Sequence, residues 1–148
     1  MADASFQKEF LETHNAYRAK HGAPQLTLNS EMSAAAQKWA DHLLSINSLQ
    51  HSDNNDGENI YNMWSSAASN STGKEAVDSW YSEIKDYDWS SPGFNGNTGH
   101  FTQVVWKESR ELGVGLATDG HSVFVVGRYR PAGNMVNPGY FEANVLKE

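Results

Sequence analysis

The chain has 148 residues, 39% hydrophobic and 20% charged, with a formal net charge of −7 and no cysteine. Length and composition predict one globular domain, residues 1–148, with enough apolar material for a core. The acidic balance excludes a nucleic-acid partner held by phosphate neutralisation and weakens attraction to anionic lipid. The missing cysteines exclude disulfides, a thiolate nucleophile and cysteine-based zinc ligation.

The first ten residues, MADASFQKEF, lack the apolar stretch of a signal peptide, and Ala2 stands where myristoylation needs glycine. No run is long and apolar enough to predict a membrane span. Residues 5–21 predict a helix capped by Asp3 or Ser5, with Phe6, Phe10, Leu11, His14, Tyr17 and Arg18 at three- and four-residue steps. Gly22 and Pro24 end it. His14, Asn15 and Arg18 are expected to bond to loop backbone and pin the helix. Leu26 and Leu28 form a short extended arm. A second helix, from a Ser30 cap to about 47, carries Met32, Ala36, Trp39, Leu43 and Ile46 as its core stripe, with His42 in solvent.

Residues 50–59, QHSDNNDGEN, read as a polar segment of turn formers, followed by a short apolar turn at 60–64. Residues 65–73, small and polar, read as a mobile surface loop. Asn70-Ser71-Thr72 fits a glycosylation acceptor, but without a signal peptide it carries little weight. Thr72 and Glu75 form a capping box opening a third helix to about 86, with Ala76 or Val77, Trp80 and Ile84 inward and Glu83 beside that stripe. A long loop, 86–99, leads to His100, where the chain turns apolar and enters the core. Residues 112–117 and 123–129 then alternate as the strands of a hairpin turning at 118–122. Phe141 with Val145 or Leu146 is expected to make a final edge strand. Helices on the faces of a small antiparallel sheet make the class α+β.

Two histidines and two acids stand out: His51, Glu58, Glu83 and His100. Each lies at a loop or at a helix edge beside one. Two neutral imidazoles suit a zinc ion and leave positions open, and nearby carboxylates can orient their N–H groups. Without a metal the four make a hydrogen-bonded network. Trp64, Trp80, Trp89 and Trp106 read as packing and loop anchors, and Thr102 and Gln103 as satisfying local backbone.

Four motifs run in order along the chain: His14-Asn-Ala-Tyr-Arg18, Gly57-Glu-Asn-Ile60, Gly99-His-Phe-Thr-Gln-Val-Val-Trp106, and FVVGRYRPAGNM at 124–135. In these the chain resembles the CAP superfamily (cysteine-rich secretory, antigen-5 and pathogenesis-related-1 proteins). WYSEIKDY at 80–87, PGF at 92–94 and NMVNPGYFEANVL at 134–146 resemble its Golgi-associated plant pathogenesis-related group. The resemblance implies an α-β-α sandwich with a central antiparallel sheet. It also implies a cavity tetrad at His51, Glu58, Glu83 and His100, with zinc or a similar divalent cation held chiefly by the two histidines. Trp64 occupies the position where some relatives carry a serine, so no nucleophile carries over.

Three functions remain open. One is a non-catalytic module that binds metal in its cleft and a lipid, sterol or protein partner on an apolar surface. The second is a metal-dependent hydrolase or peptidase using the same four residues. The third is a structural, self-associating domain, a homodimer in its simplest form. The first leads, because no activated serine, cysteine or lysine pair is visible. The expected location is intracellular, either cytoplasmic or peripheral on the Golgi membrane; unconventional secretion is the alternative.

Overall fold

A computed structural model describes residues 2–66 and 72–148. The surface loop expected at 65–73 lies mostly outside them, as does the Asn70 acceptor.

Helix α1 spans Ala4–Lys20, and Asp3 caps it by accepting the Phe6 N–H at 2.8 Å. The arm after it adds a two-residue strand, β1 (Thr27–Leu28), to the sheet. Helix α2 (Ser30–Ile46) is capped by Asn29 rather than Ser30. Met32, Ala36, Ala40 and Leu43 are its buried face, while Ile46 and His42 lie in solvent. Helix α3 (Gly73–Tyr81) starts at the Thr72 cap and tightens into a 3₁₀ turn over Ser82–Asp86 instead of running on as one helix. Strands β3 (Glu111–Thr118) and β4 (Ser122–Arg130) form the expected hairpin.

Three further elements depart from the sequence reading. The segment read as polar turns and an apolar turn contains an eight-residue strand, β2 (Gly57–Trp64), paired antiparallel with β4 along its whole length. Its polar residues join the ladder because β4 offers a complete row of backbone partners. The GHFTQVV stretch is a short helix, α4 (Gly99–Val105). The expected final edge strand is instead a helical turn, α5 (Tyr140–Asn144), whose Phe141 packs edge-on against Trp106 at 5.0 Å.

The sheet order is β1-β3-β4-β2, with β1 parallel to β3 and the other pairs antiparallel. Helix α2 covers one face, over Ala117, Phe124 and Val126. Helices α1, α3 and α4 cover the other, over Leu112, Val114, Val123, Val125 and Tyr129. The approach of α2 depends on two glycines: a β-carbon on Gly113 or Gly115 would stand 2.4 or 2.5 Å from the main chain of Met32 or Ala36. Beyond the short β1, the edge of β3 is covered by α2 side chains. Ser33 accepts the Val114 N–H, and the Gln37 amide bonds both the N–H and the carbonyl of Leu116. This covers an edge otherwise open to strand addition.

Arg18 is wholly buried and donates to the carbonyls of Pro24, Val104, Trp106 and Ser109. Asn15 makes a two-way pair with the Leu26 backbone. These two pin α1 to loop backbone as expected; His14 instead bonds within its helix and to Tyr129. Trp80 and Trp106 are buried, whereas Trp64 is 67% exposed.

Candidate functional site

Glu83, on the 3₁₀ turn after α3, faces the first turn of α4. Its Oε1 accepts the main-chain N–H groups of His100 at 2.9 Å and Phe101 at 3.0 Å. Thr98 supplies no side-chain cap there, so this carboxylate satisfies donors that the start of a helix leaves without partners. Its Oε2 accepts the ring Nδ1–H of His100 at 2.8 Å. The proton on Nδ1 leaves Nε2 as the free lone pair. Trp80 stacks against the ring, with 12° between planes, and fixes its attitude.

Glu58 and Asn59 begin β2, the edge strand, and alternation sends their side chains to opposite faces. Glu58 lies opposite Arg128 in the ladder. Its Oε1 accepts Nδ1–H of His51 at 3.0 Å and the Ser52 N–H at 2.8 Å, and its Oε2 accepts the Ser52 hydroxyl at 2.5 Å. Arg128 Nε stands 3.6 Å from the same oxygen. Glu58 thus accepts three hydrogen bonds, two on Oε1 and one on Oε2, and Arg128 adds its charge without a hydrogen bond through Nε. Burial alone would raise its carboxyl, but the hydrogen bonds from His51 and Ser52 outweigh burial and hold it below the usual glutamate range. The same bond to Glu58 holds the His51 imidazole above the usual histidine range, against the smaller effect of burial.

Asn59 works on the other face. Its Nδ2 donates to the His100 carbonyl at 3.1 Å and to the Tyr129 hydroxyl at 3.3 Å. Tyr129 donates to His14 Nε2 at 2.6 Å, and His14 Nδ1 donates to the Phe10 carbonyl at 2.9 Å. A chain of buried polar groups thus connects α1 to α4. Burial holds His14 neutral, its imidazole pushed down to about 3.

The two sides meet in one cleft of about 260 Å³, lined among others by His51, Glu58, Asn59, Phe94, His100 and Asn134. Glu83 stands behind His100 and does not line it. Each imidazole has Nδ1 on a carboxylate, so Nε2 is the ring nitrogen left for a ligand in both. The described residues contain no set of three or more His, Cys, Asp or Glu side chains grouped to hold a metal ion. Ser52, Arg128, Asn134 and Phe94 were not singled out as site residues in the sequence. Asn59 and Asn134 do stand inside the second and fourth motifs, which was the available signal.

The family model for the cysteine-rich secretory protein (CAP) family matches residues 11–129. The chain belongs to the CAP family. Golgi-associated plant pathogenesis-related protein 1 of Homo sapiens is 48% identical to this CAP domain, over 98% of this chain and 95% of the human one. Protein PRY2 of Saccharomyces cerevisiae is 37% identical over 95% of this chain, which spans 41% of the yeast protein. Among solved structures, BmVAL-1 superposes with a TM-score of 0.79 at 25% identity, covering 91% of this chain and 81% of that one. A crystal structure of NaASP2 with Zn2+ superposes with a TM-score of 0.77 at 22% identity, covering 99% and 87%, a likeness of fold. The CAP fold is the α-β-α sandwich described above.

Proposed function

We propose that this CAP domain binds a divalent cation, zinc foremost, through Nε2 of His51 and Nε2 of His100, without catalysing a reaction. The observation that carries this is the paired arrangement: two imidazoles on one cleft, each oriented through Nδ1 by its own carboxylate. That is the arrangement by which proteins set the tautomer and basicity of metal-ligating histidines. Two neutral nitrogen donors suit zinc, and the remaining positions fall to water or to a group from a partner. A bound cation would supply a Lewis-acid cross-link between the loop before β2 and the start of α4. Glu58 and Glu83 orient rather than ligate, because their oxygens already accept hydrogen bonds.

A hydrolase is the weaker reading for the same reason. Each carboxylate is already held by the groups it orients, His51 and Ser52 for Glu58, His100 and Phe101 for Glu83. The lipid, sterol or protein partner belongs, in this reading, beside the cleft. Phe94 lines it and is 57% exposed, and Met135 and Val136, 43% and 75% exposed, follow the lining residue Asn134. Self-association into a homodimer uses the same rim. A relative named Golgi-associated supports peripheral Golgi association, and one named a secreted protein supports the extracellular alternative.

Titration calorimetry with zinc tests the reading. Wild type is expected to release binding heat at one site, and His51→Ala with His100→Ala to release none. Equal heats in the two proteins would remove the cation from the cleft. Peptide hydrolysis that survives rigorous purification and disappears in Glu58→Gln would replace the non-catalytic reading with the hydrolase.

A further inference from the structure

Asn59 is 2% exposed and lines the cleft. Both of its Nδ2 hydrogens are committed, one to the His100 carbonyl and one to the Tyr129 hydroxyl. Both partners are acceptors by necessity. A main-chain carbonyl has no proton to give. The Tyr129 proton is already on the hydrogen bond to His14 Nε2, because His14 Nδ1 donates to the Phe10 carbonyl. Reversing the amide would set Oδ1 against the His100 carbonyl oxygen, so its orientation is determined by chemistry. Oδ1 accepts a hydrogen bond from none of the described residues, yet it is not among the sealed, partnerless polar atoms of the interior. It therefore opens onto the cleft that the residue lines. Asn134, the other amide of the cleft, has no such free acceptor: its Oδ1 takes the Thr102 hydroxyl and its Nδ2 donates to the Gly99 carbonyl.

We propose that Asn59 is a ligand-recognition residue of the cleft, presenting Oδ1 as a fixed hydrogen-bond acceptor to a ligand N–H or O–H held beside His51 and His100. The ligand class follows: a molecule bound at the histidines that carries a donor hydrogen on the side of β2. A clamped acceptor discriminates well, because rotating away from a ligand without a donor would break two buried hydrogen bonds. The choice of probe rests on the cation reading above; the assignment of Oδ1 does not.

The test compares imidazole with N-methylimidazole, which has the same ligating nitrogen and no N–H. Both are titrated by visible absorption into the cobalt-loaded protein, as wild type and as Asn59→Leu. Wild type is expected to prefer imidazole about three- to tenfold more strongly than the variant does, the worth of one hydrogen bond. A purely structural role for Asn59 would weaken both ligands alike and leave the ratio unchanged, and that result overturns the proposal while the cation site stands. Wild type alone supplies a second reading: the Asn59 side-chain amide signals should shift with imidazole and not with N-methylimidazole. This keeps the proposal falsifiable where the variant does not fold. Failure of wild type to take up cobalt removes the cation reading instead. The same pair is then titrated into metal-free protein, where equal shifts, or none, at Asn59 overturn the proposal.

Discussion

Glu83 holds His100 twice. One carboxylate oxygen accepts its main-chain N–H at 2.9 Å and the other accepts its ring Nδ1–H at 2.8 Å. The two functions separate by substitution. In Glu83→Gln the amide oxygen can still accept the main-chain donors, but the amide nitrogen faces Nδ1 with hydrogens of its own. The imidazole proton then moves to Nε2 and blocks ligation. Stability is expected to stay within about 1 kcal/mol of wild type, while zinc affinity falls about 10–100-fold. Glu83→Ala loses the helix start as well, for a further cost of about 0.5–2 kcal/mol. Urea denaturation and zinc calorimetry on the two variants check both halves.

His51 and His14 respond to acid in opposite directions. His51 binds its proton more tightly folded than unfolded, so its contribution is complete below the ordinary value of 6.5 and is lost as pH rises through the raised one. Glu58 is held below its ordinary 4.5, so its contribution is present above that value and is lost as pH falls through the lowered one. The pair therefore contributes most between 4.5 and 6.5. His51 is 65% exposed in its side chain, and solvent screening limits the pair to at most about 1 kcal/mol. His14 acts the other way. Folding holds it down to about 3, so from 6.5 downward the unfolded chain takes up a proton that the folded chain refuses, and stability drains away. Denaturation at a series of pH values should show net acid destabilisation in wild type. The slope between 6.5 and 3 should flatten in His14→Gln. Zinc affinity should fall with pH as His51 takes up its proton, at a higher pH than an isolated histidine does.

Among the described residues Arg18 has no carboxylate partner, and it spends its charge on four main-chain carbonyls. Burial pulls its guanidinium down to about 10, which still leaves it charged at neutral pH. Arg18→Met strands those carbonyls and is expected to cost about 3–5 kcal/mol. Arg18→Lys keeps the charge but not the planar fork, and is expected to lose at least about 2 kcal/mol. Denaturant midpoints of the two variants decide whether fork geometry or charge matters more.

Gly115 faces the main chain of α2. Gly115→Ala places a β-carbon 2.5 Å from the Ala36 carbonyl group, which is backbone and cannot rotate away. The expected cost is about 1–3 kcal/mol. Gly120→Ala is the control for space, because a β-carbon there meets nothing within 4 Å, although the positive φ of 97° adds backbone strain. A larger loss at Gly120 than at Gly115 would mean that α2 yields easily.

The parts readable from sequence were those governed by near neighbours. The Thr72 cap, the 32-36-43 stripe of α2 and the β3–β4 hairpin each depend on residues a few positions apart, and all appear in the structure. Strand β2 did not announce itself, because GENIYNMW has neither strict alternation nor β-branched density; it is a strand because β4 lies beside it. Phe141 with Val145 or Leu146 read as an edge strand, but Tyr140–Asn144 coil because Phe141 finds Trp106.

The chain's own order of residues determined its family, its four motif blocks and the identity of His51, Glu58, Glu83 and His100 as the groups to watch. Tertiary structure alone decided that the two imidazoles share a cleft, that each is tied to one particular carboxylate, and that Asn59 clamps the wall between them. Hydrophobic period and capping chemistry act over one or two turns of chain. Bringing residue 51 to residue 100 depends on the pairing of β2 with β4 and on α3 and α4 packing against the far face of that sheet.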